Sequence, residues 1–322
     1  MKQRPLGGTG LTVSQVLLGC GSIGGIGTPA STRGKGLRVD EGLAQIDAAD
    51  TLGITVLDTA DSYSGGISEQ VVGLWSIEHP DSEMLISTKV GNLVSPQQRR
   101  VTLTAEHITR QFAISEERLG RVDLYLSHGP DDETPIEETL ETFAGLLESG
   151  RIRGFGACNV SASQLESALI AADRHGLPRY EWVQNEYNLL NRDDESDVWR
   201  LVAEHCLGYT PYSPLAGGTL SGRYQQGVAP DPGSRLVVAP GSLRPLDEPT
   251  WRGLDLLAAA ARRRGVGTAA LALAWVTSAP LVTAPLVAPR NKAQFTDVAD
   301  AVDLILDPDE RAEIAAFFDR IS

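Results

Sequence analysis

The chain has 322 residues and a formal net charge of −14, which leaves room for one large α/β domain. That charge argues against a nucleic-acid partner, because neutralising phosphates takes a basic face. Charged residues make up 22% and hydrophobic ones 42%, the balance of a soluble globular enzyme, which excludes wholesale disorder.

The three cysteines, Cys20, Cys158 and Cys206, are odd in number and not spaced for a metal. They imply a reducing cytoplasm and no disulfide framework. Residues 1–8 hold no apolar signal core. The most apolar stretch, 269–289, is interrupted by Pro280, Pro285 and Pro289. It reads as a buried helix and then a strand, so no membrane association is expected.

Taken in chain order, residues 5–13 read as two short strands around a Gly-rich turn, and 15–19 as the first strand of the main sheet. A helix is predicted over 40–52, with Asp40 as N-cap and Gly53 as terminator. Strand 54–58, helix 68–75, strand 84–89, helix 105–118 and strand 122–127 follow. Thr134-Pro135-Ile136-Glu137 reads as a capping box with proline at the first helical position. Ile136, Leu140, Phe143 and Leu147 behind it repeat at helical spacing. Strand 152–157 precedes a helix opened by Ser161 and Gln164. Strand 182–186, helix 195–205 and strand 208–212 come next. Beyond a Gly- and Pro-rich loop over 216–249 lie helices 249–264 and 268–278, a strand near Leu286, and helices 292–302 and 308–321.

Eight strands, each followed by a helix, give an α/β chain with a parallel sheet. With right-handed crossovers the units close into a (β/α)8 barrel, a TIM barrel, in preference to an open doubly wound sheet. The N-terminal hairpin is expected to plug the bottom of that barrel, and the last helices to be additions to it. No linker or longer repeat interrupts the pattern, so residues 1–322 are expected to form one domain.

Gly19-Cys20-Gly21-Ser22-Ile23-Gly24 matches the dinucleotide-binding pattern G-x-G-x-x-G, but the context fails. That fingerprint needs a helix opening within the glycines, and residues 25–34 read as a loop. It also needs an acidic residue about 20 positions on, and Asp58 comes much later. The glycines are expected to shape a loop over an active site.

Catalytic residues of a barrel collect at the C-terminal ends of its strands. There the sequence supplies Asp58 and Tyr63, Lys89, His128, Asn159, Gln184 and Tyr212-Ser213. A phenol near its ordinary pKa of ~10 is a poor acid or base at neutral pH. An adjacent ammonium lowers that value, and a carboxylate holds the ammonium in place. His79, His107, His175 and His205 are expected on the surface, without metal-binding spacing.

Asp58-Thr59-Ala60-Asp61-Ser62-Tyr63, Ser87-Thr88-Lys89 and Tyr125-Leu126-Ser127-His128 resemble, in order and spacing, the tetrad motifs of the aldo-keto reductases. Gly154 to Asn159, Gln184 to Asn188 and Tyr212-Ser213-Pro214-Leu215 extend the likeness over essentially the whole chain. It is greatest to the potassium-channel β-subunit-like and sugar-reducing branch. The resemblance implies NADPH or NADP+ as cofactor and an aldehyde, ketone or sugar as substrate. It makes Tyr63 the proton donor, Lys89 and Asp58 its activating pair, and His128 the group that orients the carbonyl. It assigns Tyr212 to stack on the nicotinamide, Asn159, Gln184 and Cys158 to its carboxamide, and Ser213 and Leu215 to the cofactor. It assigns Arg290 to the adenosine 2′-phosphate, with Gln294 and Asp297 nearby.

Three positions depart from the family pattern: Cys158 replaces a serine, Val298 an asparagine, and Ala288-Pro289 a Gly-containing turn. An alternative reading restricts the substrate to a keto-sugar or nucleotide-sugar, with Arg33, Lys35 and Arg38 meeting its negative charge. A third possibility is a non-enzymatic, cofactor-sensing subunit.

Overall fold

The computed structural model describes residues 1–94, 98 and 100–319. Two short antiparallel strands, β1 (Gln3–Pro5) and β2 (Thr12–Ser14), form the N-terminal hairpin. The main sheet contains β3 (Leu17–Gly19), β4 (Val56–Asp58), β5 (Leu85–Val90), β6 (Leu124–Ser127), β7 (Gly154–Cys158), β8 (Trp182–Gln184), β9 (Gly208–Tyr209) and β10 (Leu286–Val287). All seven adjacent pairs are parallel, in the order β10-β3-β4-β5-β6-β7-β8-β9. Leu286 N–H donates to the Pro211 carbonyl and Thr283 N–H to that of Tyr209, both at 2.8 Å, so the β9 and β10 segments meet and the sheet curls shut. The architecture is a (β/α)8 barrel.

Around it run α1 (Val39–Leu52), α2 (Ile67–Glu78), α3 (Ala105–Leu119), α4 (Ile136–Glu148), α5 (Ala162–His175) and α6 (Val198–Glu204). Then come α7 (Arg235–Val238), α8 (Glu248–Arg264), α9 (Thr268–Thr277), α10 (Lys292–Asp303) and α11 (Pro308–Ala316). The one-helix-per-strand pattern leaves the short α7, together with α8 and α11, as additions. No described helix is long and apolar enough to cross a membrane.

The core has two layers. An inner one packs Leu17, Val56, Leu85, Leu124 and Trp182 inside the barrel, and Leu6 and Val13 of the hairpin belong to it. Gly8 N–H donates to the Glu181 carboxylate just before β8, which sets the hairpin against the N-terminal ends of the strands. The outer layer lies between strands and helices, with Trp75, Phe112, Phe143 and Trp275 among its largest members. Each such fully buried side chain contributes about 1.5–3 kcal/mol relative to exposure. With the lower end blocked and the sides covered, ligands enter from the C-terminal ends of the strands.

Local chemistry moved several predicted boundaries. The N-cap of α1 is Arg38, not Asp40: Arg38 N–H donates to the Glu41 carboxylate, while Asp40 pairs with the Arg38 guanidinium. Thr134 does not cap α4. Its hydroxyl donates to Asp131 at 2.6 Å and the N-cap is Pro135, so proline precedes the helix instead of beginning it. Helix α6 starts at Val198 because residues 193–195 form a separate tight turn. The last predicted helix stops at Ala316, and its residues 320 and 321 lie outside the described chain. His107 is buried, not on the surface, with its Nδ1 against Arg110.

Candidate active site

A cavity of about 1000 Å³ opens at the C-terminal ends of the strands. Asp58 closes β4, and the backbone beyond it stays tied to β5 through Thr59 N–H to the Ser87 carbonyl and Asp61 N–H to that of Lys89. The chain then turns so that Tyr63 faces back over Lys89. This turn needs three successive left-handed residues, Ser64, Gly65 and Gly66. Gly66 (φ 97°) holds a backbone conformation that L side chains rarely adopt, and it lies against the Arg118 guanidinium, so glycine is favoured there.

The four tetrad residues come together. Asp58 and Lys89 are each 1% exposed, and their side chains form a buried ion pair. Lys89 Nζ also donates to the Thr59 carbonyl at 2.7 Å. Ser87 and Gln184 donate to the other Asp58 oxygen, both at 3.1 Å. A buried carboxylate with donors on both oxygens is stable where an unpaired one would not be. Lys89 Nζ lies 5.1 Å from the centre of the Tyr63 ring, and His128 meets that ring edge-on at 5.4 Å. Tyr63, His128 and Asp58 line the cavity, with Lys89 behind the wall they make.

The electrostatics qualify the expected activation of Tyr63. Lys89 pulls the phenol pKa down, as anticipated, but burial pushes it up more strongly and Asp58 adds to the rise. The net shift is upward, chiefly because burial penalises the phenolate and secondly because the carboxylate that anchors the ammonium also offsets its charge. Tyr63 is therefore a neutral phenol carrying a proton to give. Burial and Lys89 together bring His128 down to about 3, so its imidazole is neutral. His128 Nδ1 is buried and has no hydrogen-bond partner among the described residues.

The residues expected on the nicotinamide side surround this centre. Cys158 closes β7 and its thiol donates to Gln184 Oε1 at 3.5 Å, while burial raises the thiol pKa. Gln184 therefore bridges Cys158 and Asp58. Asn159 (φ 57°) donates to the His128 carbonyl and accepts from the Tyr212 hydroxyl, both at 2.8 Å. Tyr212, Ser213 and Leu215 follow β9 along the cavity wall. At the far end Arg290, Gln294 and Asp297 line the same space, with Gln294 Oε1 accepting from the Arg290 backbone.

Among the lining residues that sequence reasoning did not single out are Ser22, whose buried hydroxyl has no partner among the described residues, and Arg223 and Arg235 of the 216–249 segment. Burial, then Arg235 and Arg223, hold the Arg290 guanidinium below its usual value, the signature of three like charges converging. No periodicity marks that loop, so only the fold reveals the cluster. The glycines at 19, 21 and 27 shape a loop lining the cavity, and α1 opens only at Val39, which disposes of the dinucleotide fingerprint. Arg33, Lys35 and Arg38 are exposed, and none lines this cavity.

The sequence model of the Aldo/keto reductase family matches residues 24–319. Versiconal hemiacetal acetate reductase of Aspergillus parasiticus is 31% identical, covering 96% of this chain and 95% of its own. A probable voltage-gated potassium channel subunit beta of Oryza sativa subsp. japonica is also 31% identical, over 95% and 92%. Among solved structures, a glycerol dehydrogenase from Gluconobacter oxydans superimposes with a TM-score of 0.82 at 25% identity, over 99% of this chain and 97% of that one. The chain belongs to the aldo/keto reductase family of oxidoreductases.

Proposed function

We propose that residues 1–322 form one reductase domain, a cytoplasmic enzyme that reduces an aldehyde or ketone to an alcohol with NADPH and runs the reverse with NADP+. The observation that carries this is the convergence of Asp58, Lys89, Tyr63 and His128 at a cavity whose lining also holds Arg223, Arg235 and Arg290. Those arginines fit a ligand with several phosphate groups, since a guanidinium fork matches phosphate oxygens. Arg290, Gln294 and Asp297 would hold the adenosine end, and Arg223 and Arg235 the phosphates between. Tyr212, Ser213, Leu215, Asn159, Gln184 and Cys158 would hold the nicotinamide, which when bound supplies the hydride.

The chain's own part in the reaction is positional and acidic. The substrate oxygen lies against Tyr63 and His128, and Tyr63 donates its proton to that oxygen as negative charge develops. Neutral His128 donates a hydrogen bond to the same oxygen and fixes its direction. Lys89 then stabilises the phenolate left behind, itself held by Asp58.

The test is turnover of a panel of aldehydes, ketones and keto-sugars with NADPH and with NADH. Reduction of simple aldehydes with a lower KM for NADPH is expected. Equal use of both cofactors removes the assignment of Arg290, and no turnover of any carbonyl removes the reductase reading.

A further inference from the structure

A buried polar cluster lies outside the barrel wall, behind the tetrad, and the proton transfer described above makes no use of it. Successive side chains of a strand point to opposite faces, so Lys89 of β5 turns inward to Asp58 while Thr88 turns outward to α2. The Thr88 hydroxyl donates at 2.7 Å to one oxygen of Glu69, a residue of α2 that is 0% exposed. The other oxygen accepts from Nη1 of Arg118, on α3, at 2.9 Å. Helix α3 comes this close because Gly73 of α2 leaves room: a Cβ there would lie 1.9 Å from the Arg118 carbonyl. None of Thr88, Glu69 and Arg118 lines the large cavity.

Arg118 reaches past Glu69 to the turn that carries Tyr63. Its Nη1 also meets the Asp61 carbonyl at 3.4 Å, and its guanidinium lies against Gly66. Asp61 and Gly66 stand on either side of Tyr63. Left-handed residues such as Ser64 in that stretch persist only where the surroundings hold them. Buried Glu69 is stable only with a cation and donors in place, and it has both. Asp61 does not compete for the guanidinium: burial, then Glu69, hold its carboxyl well above the usual range, which favours the neutral acid. One carboxylate and one guanidinium remain, matched to each other.

We propose that Glu69 and Arg118 are positioning residues, a brace that joins the strand bearing Lys89 to the turn bearing Tyr63 and so fixes the phenol over the ammonium. The role of Tyr63 in this inference rests on the reductase reading. Misplacing a reacting group by about 1 Å costs on the order of 10²-fold in rate, so a slack brace acts on kcat and leaves the cofactor end alone.

E69Q/R118M is the informative variant, because it removes both charges together and its new amide keeps an acceptor for Thr88. R118K is the second, since it keeps a cation beside Glu69 but is too short to hold the turn as well. Each is measured for aldehyde turnover, for NADPH binding by fluorescence quenching, and for backbone hydrogen exchange. The double variant should lose at least about tenfold in kcat, with the aldehyde KM and NADPH affinity within about threefold of wild type. The amides of Tyr63, Ser64 and Gly65, which are hydrogen-bonded in the turn, should exchange at least about tenfold faster. Those of β4 should not change. R118K should move in the same direction by a smaller factor. Wild-type kcat and exchange in both variants overturn the brace. So does a loss of kcat matched by lost NADPH affinity, or one with unchanged exchange in the turn. Hydrogen exchange reads the brace whether or not any carbonyl is reduced, so its failure differs from failure of the reductase reading.

Discussion

The two ends of the large cavity are built in opposite ways. At the tetrad end the two opposite charges are committed to each other inside the protein: Lys89 is paired with Asp58, and Asp58 takes further hydrogen bonds from Ser87 and Gln184. The residues there come from strand ends or the turn just beyond, held by backbone bonds on both sides. At the arginine end, Arg223 and Arg290 come from loops, and their guanidinium groups have no ion-pair partner among the described residues. The contrast separates two tasks. Proton transfer needs groups fixed before the substrate arrives, whereas holding a charged ligand needs only uncommitted charge within reach.

Lys89→Met should break the committed end most severely. It removes the cation beside Tyr63, and loss of acid/base assistance costs about 10²–10⁴-fold in kcat. It also leaves Asp58 buried without its cation, a change that destabilises by about 3–5 kcal/mol. Adding Asp58→Asn should recover much of the lost melting temperature and none of the turnover. A double variant that regains activity would show that the pair is structural only.

Arg290→Ala probes the uncommitted end, with a smaller effect. Losing a charge-assisted contact worth about 1.5–3 kcal/mol should weaken NADPH binding roughly 10- to 100-fold. The dissociation constant for NADH should change little, and kcat at saturating NADPH should hold. Equal weakening of both cofactors would place the 2′-phosphate elsewhere.

The smallest expected effect is that of pH. Because the Tyr63 phenol is shifted upward, it stays protonated until the solution passes the ordinary tyrosine value of ~10. Reduction should therefore fall only on the alkaline side. His128, titrating at about 3, contributes no inflection over the range of roughly pH 5–8 in which histidines usually titrate. A step in kcat within that range that disappears in His128→Gln would mean that His128 works as a cation.

Much of the tetrad end was legible in the sequence, and little of the rest was. Strand ends are marked by the change from β-rich to polar residues, so Asp58, Lys89, His128 and Gln184 could be placed on one face before any coordinates. Arg223 and Arg235 could not, because the 216–249 loop has no period to align them with a cavity. The direction of the Tyr63 shift was hidden too. It depends on how completely burial and Asp58 offset Lys89, and that balance is a matter of packing. Arg38 capping α1, Thr134 turning to Asp131, and His107 going inside are similar cases. In each, a side chain chose a partner that spacing alone does not single out.

The central claim is that the two ends act independently, one on the proton and the other on the cofactor. Tyr63→Phe, measured on one preparation for both aldehyde reduction and NADPH binding by fluorescence quenching, tests it most directly. The account predicts turnover reduced by at least about 10²-fold with NADPH affinity essentially unchanged. Undiminished turnover, or a loss of turnover explained by lost NADPH binding, would contradict it.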